Sequence, residues 1–164
     1  PGRMSPHLTL GVLALAPALG LIPYLHGIPV YGTGLLLTVL LIVWVGDIGA
    51  YFGGRRFGKS LFAPEISPGK TWAGVWSGLA LSLFVGWGSA YSLSLPVDRP
   101  WLLWVSLVVA AIGAILADLF ESILKRSTGK KDSGSLLPGH GGVLDRIDSM
   151  LGAVPLFAGL SLLF

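Results

Sequence analysis

Read from its first residue, the chain alternates long apolar stretches with short polar ones. Five stretches approach the roughly 20 residues that a helix needs to cross a hydrocarbon core of about 30 Å. They run from Leu8 to Leu25, Val30 to Phe52, Trp72 to Leu95, Trp101 to Leu124 and Ser149 to Phe164. Pro17 and Pro23 interrupt the first, which a membrane bundle tolerates because neighbouring helices satisfy the freed backbone groups. The last is short, and a re-entrant or interfacial helix is the alternative for one of the five. The pattern predicts an all-α, polytopic integral membrane bundle of about five transmembrane helices with two polar loops.

Composition strengthens this reading. Of 164 residues, 53% are hydrophobic and 12% charged, where a soluble domain carries about 25% charged residues. Between Arg3 and Arg55 the only acidic, basic or imidazole side chains are His7, His26 and Asp47, and there are none from Trp72 to Val97. The absence of cysteine excludes a disulfide scaffold or a zinc finger, and the apolar, Gly-rich composition excludes coiled coils and disordered tails. The first residues lack a basic n-region followed by an h-region and a small-residue cleavage site, so no secretory signal is expected among them. Its start at Pro1 leads us to expect a single membrane domain, residues 1–164, truncated at the N-terminus.

The basic residues set the topology. Four of eleven Lys and Arg lie between Arg55 and Lys70 and five between Lys125 and Arg146. Those loops follow the second and fourth predicted helices, so both fall on one side, and their positive charge marks that side as cytoplasmic. Topology and attraction to anionic headgroups alone would account for basic loops. The acids beside them ask for more.

Asp47 lies in Trp44-Val-Gly-Asp-Ile-Gly-Ala-Tyr51, near the cytoplasmic end of an apolar helix, and Asp118 and Glu121 hold the matching position on the fourth. A carboxylate at membrane depth costs a few kcal/mol and persists where it faces a protein interior, a cation or a metal. Asp118, Glu121 and Lys125 follow three and four residues apart, on neighbouring parts of one helical face. A helix-end ion pair between Glu121 and Lys125 is the plain alternative to a site.

The loop from Lys125 to Asp148 adds Arg126, Lys130, Lys131, Asp132, glycines around His140, Asp145 and Arg146. Cations bind phosphate oxygens, carboxylates at fixed spacings bind a hard divalent cation together with substrate phosphates, and glycines let backbone N–H groups reach an anion. Such parts suit phosphoryl or nucleotidyl transfer, where catalysis is mostly positioning and charge neutralisation. His140 suits orienting or anion binding better than general base catalysis. The first loop, Gly53-Gly-Arg-Arg-Phe-Gly-Lys-Ser60 and Ile66-Ser-Pro-Gly-Lys-Thr-Trp72, reads as an anion-binding loop running into a helix start, with Ser67 as N-cap and Pro68 in the first turn.

Ser122-Ile-Leu-Lys-Arg126, Lys131-Asp-Ser-Gly134 and Leu137-Pro-Gly-His-Gly-Gly-Val-Leu-Asp-Arg-Ile-Asp148 together resemble the signature of the phosphatidate cytidylyltransferases, or CDP-diacylglycerol synthases. Asp47, Ala50-Tyr51, Gly54, Gly58-Lys59, Ser67-Pro68 and Lys70-Thr71 resemble an upstream block of that family, with Gly69 where a further Lys is common. The resemblance covers Trp44 to the C-terminus, with a catalytic core at about 44–148.

It implies transfer of CMP from CTP to phosphatidic acid, giving CDP-diacylglycerol and pyrophosphate at the cytoplasmic face of a bacterial-type inner membrane. Mg²⁺ is the implied cofactor, with a second cation left open, and a homodimer embedded in the bilayer is the implied assembly, with no nucleic-acid partner. Its implied metal ligands are Asp118 and Asp145, then Asp148 and Glu121. Lys131 and Asp132 join Asp118, Asp145 and Asp148 as catalytic candidates. The implied substrate-binding residues are Asp47, Lys59, Ser67, Lys70, Thr71, Lys125, Arg126, His140 and Arg146. Three alternatives stay open: a related CTP-dependent enzyme acting on another membrane lipid, a cation-coupled transporter whose buried acids carry the ion, and a catalytically dead member serving as a scaffold.

Overall fold

A computed structural model describes residues 6–95, 98–127 and 144–163, with side chains from residue 15 onward in the first segment and from 147 onward in the last. Helix α1 spans Pro6–His26 and α2 Gly32–Phe57; strands β1 (Leu61–Ala63) and β2 (Ser67–Thr71) follow; then come α3 (Trp72–Ser92), α4 (Pro100–Ser127) and α5 (Leu144–Ser161). Helices thus stand at all five predicted places. By length and apolarity α2, α3 and α4 each suffice to cross a membrane, while the described apolar stretches of α1 and α5 are shorter, Leu15–His26 and Ile147–Ser161. The chain is an all-α integral membrane bundle carrying one small hairpin. Its outward faces fit that solvent: Trp76, Phe84 and Leu116 are exposed, at no cost where the surroundings are acyl chains.

The tightest seam joins α2 to α3, and small residues explain it. The buried positions of α3 are Gly74, Gly78, Ser82, Gly86 and Ala90, one every fourth residue, so a single face carries almost no side chain. Gly46, Gly49 and Gly53 oppose it from α2. A methyl group built on Gly78 would stand 2.7 Å from the Gly46 carbonyl oxygen and 3.1 Å from Ala50 Cβ. Backbones that approach this closely gain dispersion contacts that lipid cannot supply, a common way for helices to associate in membranes. Two hydrogen bonds cross the seam, from Ser82 Oγ to the Ile42 carbonyl (2.7 Å) and from Ser89 Oγ to Thr38 Oγ1 (3.2 Å). Gly113 and Gly152 repeat the arrangement between α4 and α5. Larger side chains, among them Leu25, Leu35, Val39, Ile42, Leu107, Val154 and Phe157, fill the core between these pairs.

Element ends differ from the sequence expectation in ways that matter for the site. Helix α2 continues five residues past Phe52, closing with the Gly58 N–H on the Gly54 carbonyl at 2.9 Å. Helix α5 begins at Leu144 rather than Ser149, so Asp145 and Asp148 stand in its first turns. Ser67 is not an N-cap, nor Pro68 a first-turn residue. Both lie in β2, which pairs antiparallel with β1 through Leu61↔Thr71 and Ala63↔Ser67. Gly69 weakens a helix start here, whereas pairing supplies partners, including the Trp72 N–H donating to the Ser60 carbonyl at 3.1 Å. The cap falls to Thr71, extended at φ −120° and ψ 154°, whose hydroxyl accepts from the Gly74 N–H at 3.2 Å.

Candidate active site

The middle and later turns of α2, the hairpin, the first half of α3, the middle of α4 and the start of α5 meet around a cavity of about 260 Å³. Asp47, Tyr51, Lys70, Thr71, Asp118 and Ser149 line its polar end, here called the mouth, and Ile42, Val43, Leu79, Ala111 and Ile115, about one to two turns further along the same helices, line its apolar end, the floor. One compartment therefore offers charge at one end and hydrocarbon at the other. Its shape follows from the fold: the α2–α3 seam brings Asp47 beside the hairpin, and Thr71, as last strand residue and helix cap, leaves Lys70 projecting toward α4.

Lys70 Nζ forms an ion pair with Asp118 Oδ2. The partners lie on separate elements, so this contact draws the hairpin onto α4 over the cavity. Their side chains are 24% and 28% exposed; solvent screening limits such a pair to about 1 kcal/mol or less. Asp47, Asp118 and Asp148 act on one another electrostatically, with Lys70 opposing them at Asp47 and Lys125 at Asp148. The Ser149 N–H donates to Asp148 Oδ1 at 2.6 Å. With Glu121, which also interacts with Asp148, four carboxyl groups stand against two ammonium groups, an excess of two acidic side chains among the described residues.

That excess bears on metal binding. No three Asp, Glu or His side chains among the described residues stand close enough to hold an ion by themselves. A magnesium ion is usually held by one or two carboxylates plus substrate phosphates, and the acidic mouth fits such a shared site.

Of the residues expected from the sequence, Asp47, Lys70, Thr71 and Asp118 line the cavity and Asp148 lies within electrostatic range. Glu121 is buried, pairs with Lys125 at 2.6 Å and lines a second cavity of about 330 Å³ between α1, α4 and α5, with Leu116, Phe120 and Leu156. The helix-end pair considered from the spacing is thus present. Lys59 and Arg126 are exposed and Ser67 is half-buried on β2; none of the three lines the cavity. Asp145 and Arg146 sit in the first turn of α5, with side chains outside the described residues, as are Lys131, Asp132 and His140 entirely. Tyr51, named in the upstream block without a role, and Ser149 were not expected at the site, although each had a signal: Tyr51 follows Asp47 by one helical turn, and Ser149 adjoins Asp148.

Thr71 has two duties at this mouth, and replacing it separates them. Thr71→Val should lower thermal stability by about 1 kcal/mol through loss of the cap, while Thr71→Ser retains it. Melting curves of the two variants in the same detergent check this, and equal melting temperatures would refute the capping role.

The profile of the cytidylyltransferase family matches residues 6–164. Phosphatidate cytidylyltransferase of Pseudomonas aeruginosa is 48% identical over 153 residues, covering 93% of this chain and 56% of that protein. The enzymes of the same name from Haemophilus influenzae and Bacillus subtilis are 48% and 41% identical over 138 and 134 residues, each covering 82% of this chain and 48% and 49% of the relative. The chain spans about half the length of the curated relatives it matches. On the breadth of that match, the chain belongs to the cytidylyltransferase family.

Proposed function

We propose that the chain transfers CMP from CTP to phosphatidic acid, releasing pyrophosphate and forming CDP-diacylglycerol, at the cytoplasmic face of a bacterial inner membrane and as a homodimer. The observation that carries this reading is the cavity itself. A charged mouth above an apolar floor, inside a membrane bundle, matches a reaction between a water-soluble triphosphate and a lipid phosphate.

The acceptor phosphate oxygen forms a bond to the α-phosphorus of CTP as the bond from that phosphorus to the pyrophosphate oxygen breaks. No strong general base is required, because a phosphate monoester with a second pKa of about 6 is already ionised at pH 7. Lys70 and Thr71 orient phosphate groups at the mouth, and Leu79 and Ile115 exclude water below. Lys59, Lys125, Arg126, Lys131 and Arg146 supply further cationic contacts. Asp118, with Asp148 and Asp145, would hold Mg²⁺, which when bound neutralises charge on the reacting and leaving phosphates.

The test is incorporation of label from α-³²P-CTP into lipid by the purified chain in nanodiscs. Label should appear in the organic phase only with both phosphatidate and Mg²⁺ present. A folded preparation that leaves it in the aqueous phase would overturn the assignment, and label passing to polyprenyl phosphate instead would reassign the acceptor.

A further inference from the structure

In the substrate-free chain, the carboxylate to which the proposed function assigns a divalent cation is already held by an ammonium group. Lys70 Nζ contacts Asp118 Oδ2 directly, and an ammonium at that oxygen repels a divalent ion from the same carboxylate. We propose that Lys70 is a positioning residue that occupies the cation's place at Asp118 in the empty enzyme and moves onto the incoming triphosphate, so that nucleotide and cation load together. This inference rests on the proposed function for its choice of Asp118.

The local build suits an exchange. The next residue, Thr71, is anchored: its hydroxyl caps α3, and a methyl group on Gly58 would meet its Oγ1 at 2.7 Å. On the other side, a methyl group on Gly69 would meet nothing within 4 Å. The backbone is therefore pinned just beyond Lys70 and uncrowded just before it. The four-carbon stem of lysine carries a compact charge through several rotatable bonds. The pair is also partly exposed, hence weak enough for a triphosphate, with several negative charges, to compete for the ammonium. Once Lys70 departs, Asp118 stands beside Asp47 and Asp148 without its ammonium, and its carboxylate attracts a divalent ion more strongly than before.

The probe is Mn²⁺ alone, without nucleotide, titrated into the purified chain in nanodiscs and followed by electron paramagnetic resonance of the free ion. Lys70→Met should bind Mn²⁺ about tenfold more tightly than the parent, within the usual range for coupled sites. The gain should vanish in the double variant Lys70→Met, Asp118→Asn. Lys70→Arg, whose guanidinium holds a carboxylate with two parallel hydrogen bonds, should bind Mn²⁺ more weakly than the parent, and it tests the exchange even if Lys70→Met fails to fold.

Affinities of parent and Lys70→Met within twofold of each other would overturn the inference, as would a gain that persists without Asp118. The CTP assay separates this from the parent reading. Normal CMP transfer with no Lys70 effect on Mn²⁺ sinks the exchange alone, whereas a Lys70 effect in a chain that transfers no CMP keeps the exchange and sinks the reaction.

Discussion

Asp118→Asn should lower CMP transfer by about a hundredfold to a thousandfold, the scale seen when a main electrostatic contact is removed from a reacting centre, while leaving the melting temperature within a few degrees of the parent. Asparagine keeps the volume of aspartate and gives up its charge. The lost partner, Lys70, is 24% exposed, so its ammonium can turn to water instead of being stranded in an apolar interior, and the pair was worth little to folding. Activity and stability are thus predicted to part company. Rates from the CTP assay and melting curves from the same preparation test it: a variant that turns over at the parental rate removes Asp118 from the site, and one that fails to fold makes its role structural.

The second large effect concerns packing. Gly78→Val should unseat α2 from α3 and cost about 3 kcal/mol or more, the upper end for overpacking, because even the first added carbon would stand 2.7 Å from a backbone oxygen that no rotamer change can move. Gly88→Val is the control. It lies on the same helix, its added carbon meets nothing within 4 Å, and valine is the better helix former, so its stability should match or exceed that of the parent. Similar melting temperatures for the two variants would show that the close approach contributes nothing.

Much of the architecture was legible in the residues. An apolar run of twenty residues has one cheap solution in a bilayer, so the helices appear where hydropathy places them, and nine basic residues in two loops put those loops at one end. The meeting of α2, the hairpin and α4 at Lys70 and Asp118 bears out that shared end. The small-residue seam was equally open to inspection, since Gly74, Gly78, Ser82, Gly86 and Ala90 recur every four residues, but hydropathy averages cannot see it because glycine and serine barely alter the mean.

The hairpin was less accessible. Ser67-Pro68 satisfies the local rules for a helix start, and only the pairing of Leu61 with Thr71 across the turn moves the start to Trp72. Cross-strand partners are a tertiary matter, absent from any short window. The partner of Asp118 was hidden for the same reason. Spacing along α4 points to Glu121 and Lys125, which do pair with each other, whereas Lys70 arrives from a segment 48 positions earlier in the chain. Of the residues the resemblance named, Asp47, Lys70, Thr71 and Asp118 line the cavity, whereas neither Tyr51 nor Ser149 was assigned a role there.

Because Thr71 ends the strand and opens α3, the ammonium of Lys70 and the greasy floor at Leu79 ride on one axle. A few degrees of tilt in α3 carries the charge sideways over the opening as it shifts the floor. Tilt is what a helix adjusts when the surrounding bilayer thickens or thins, so membrane thickness has a mechanical route to the charged end of the cavity that needs no ligand.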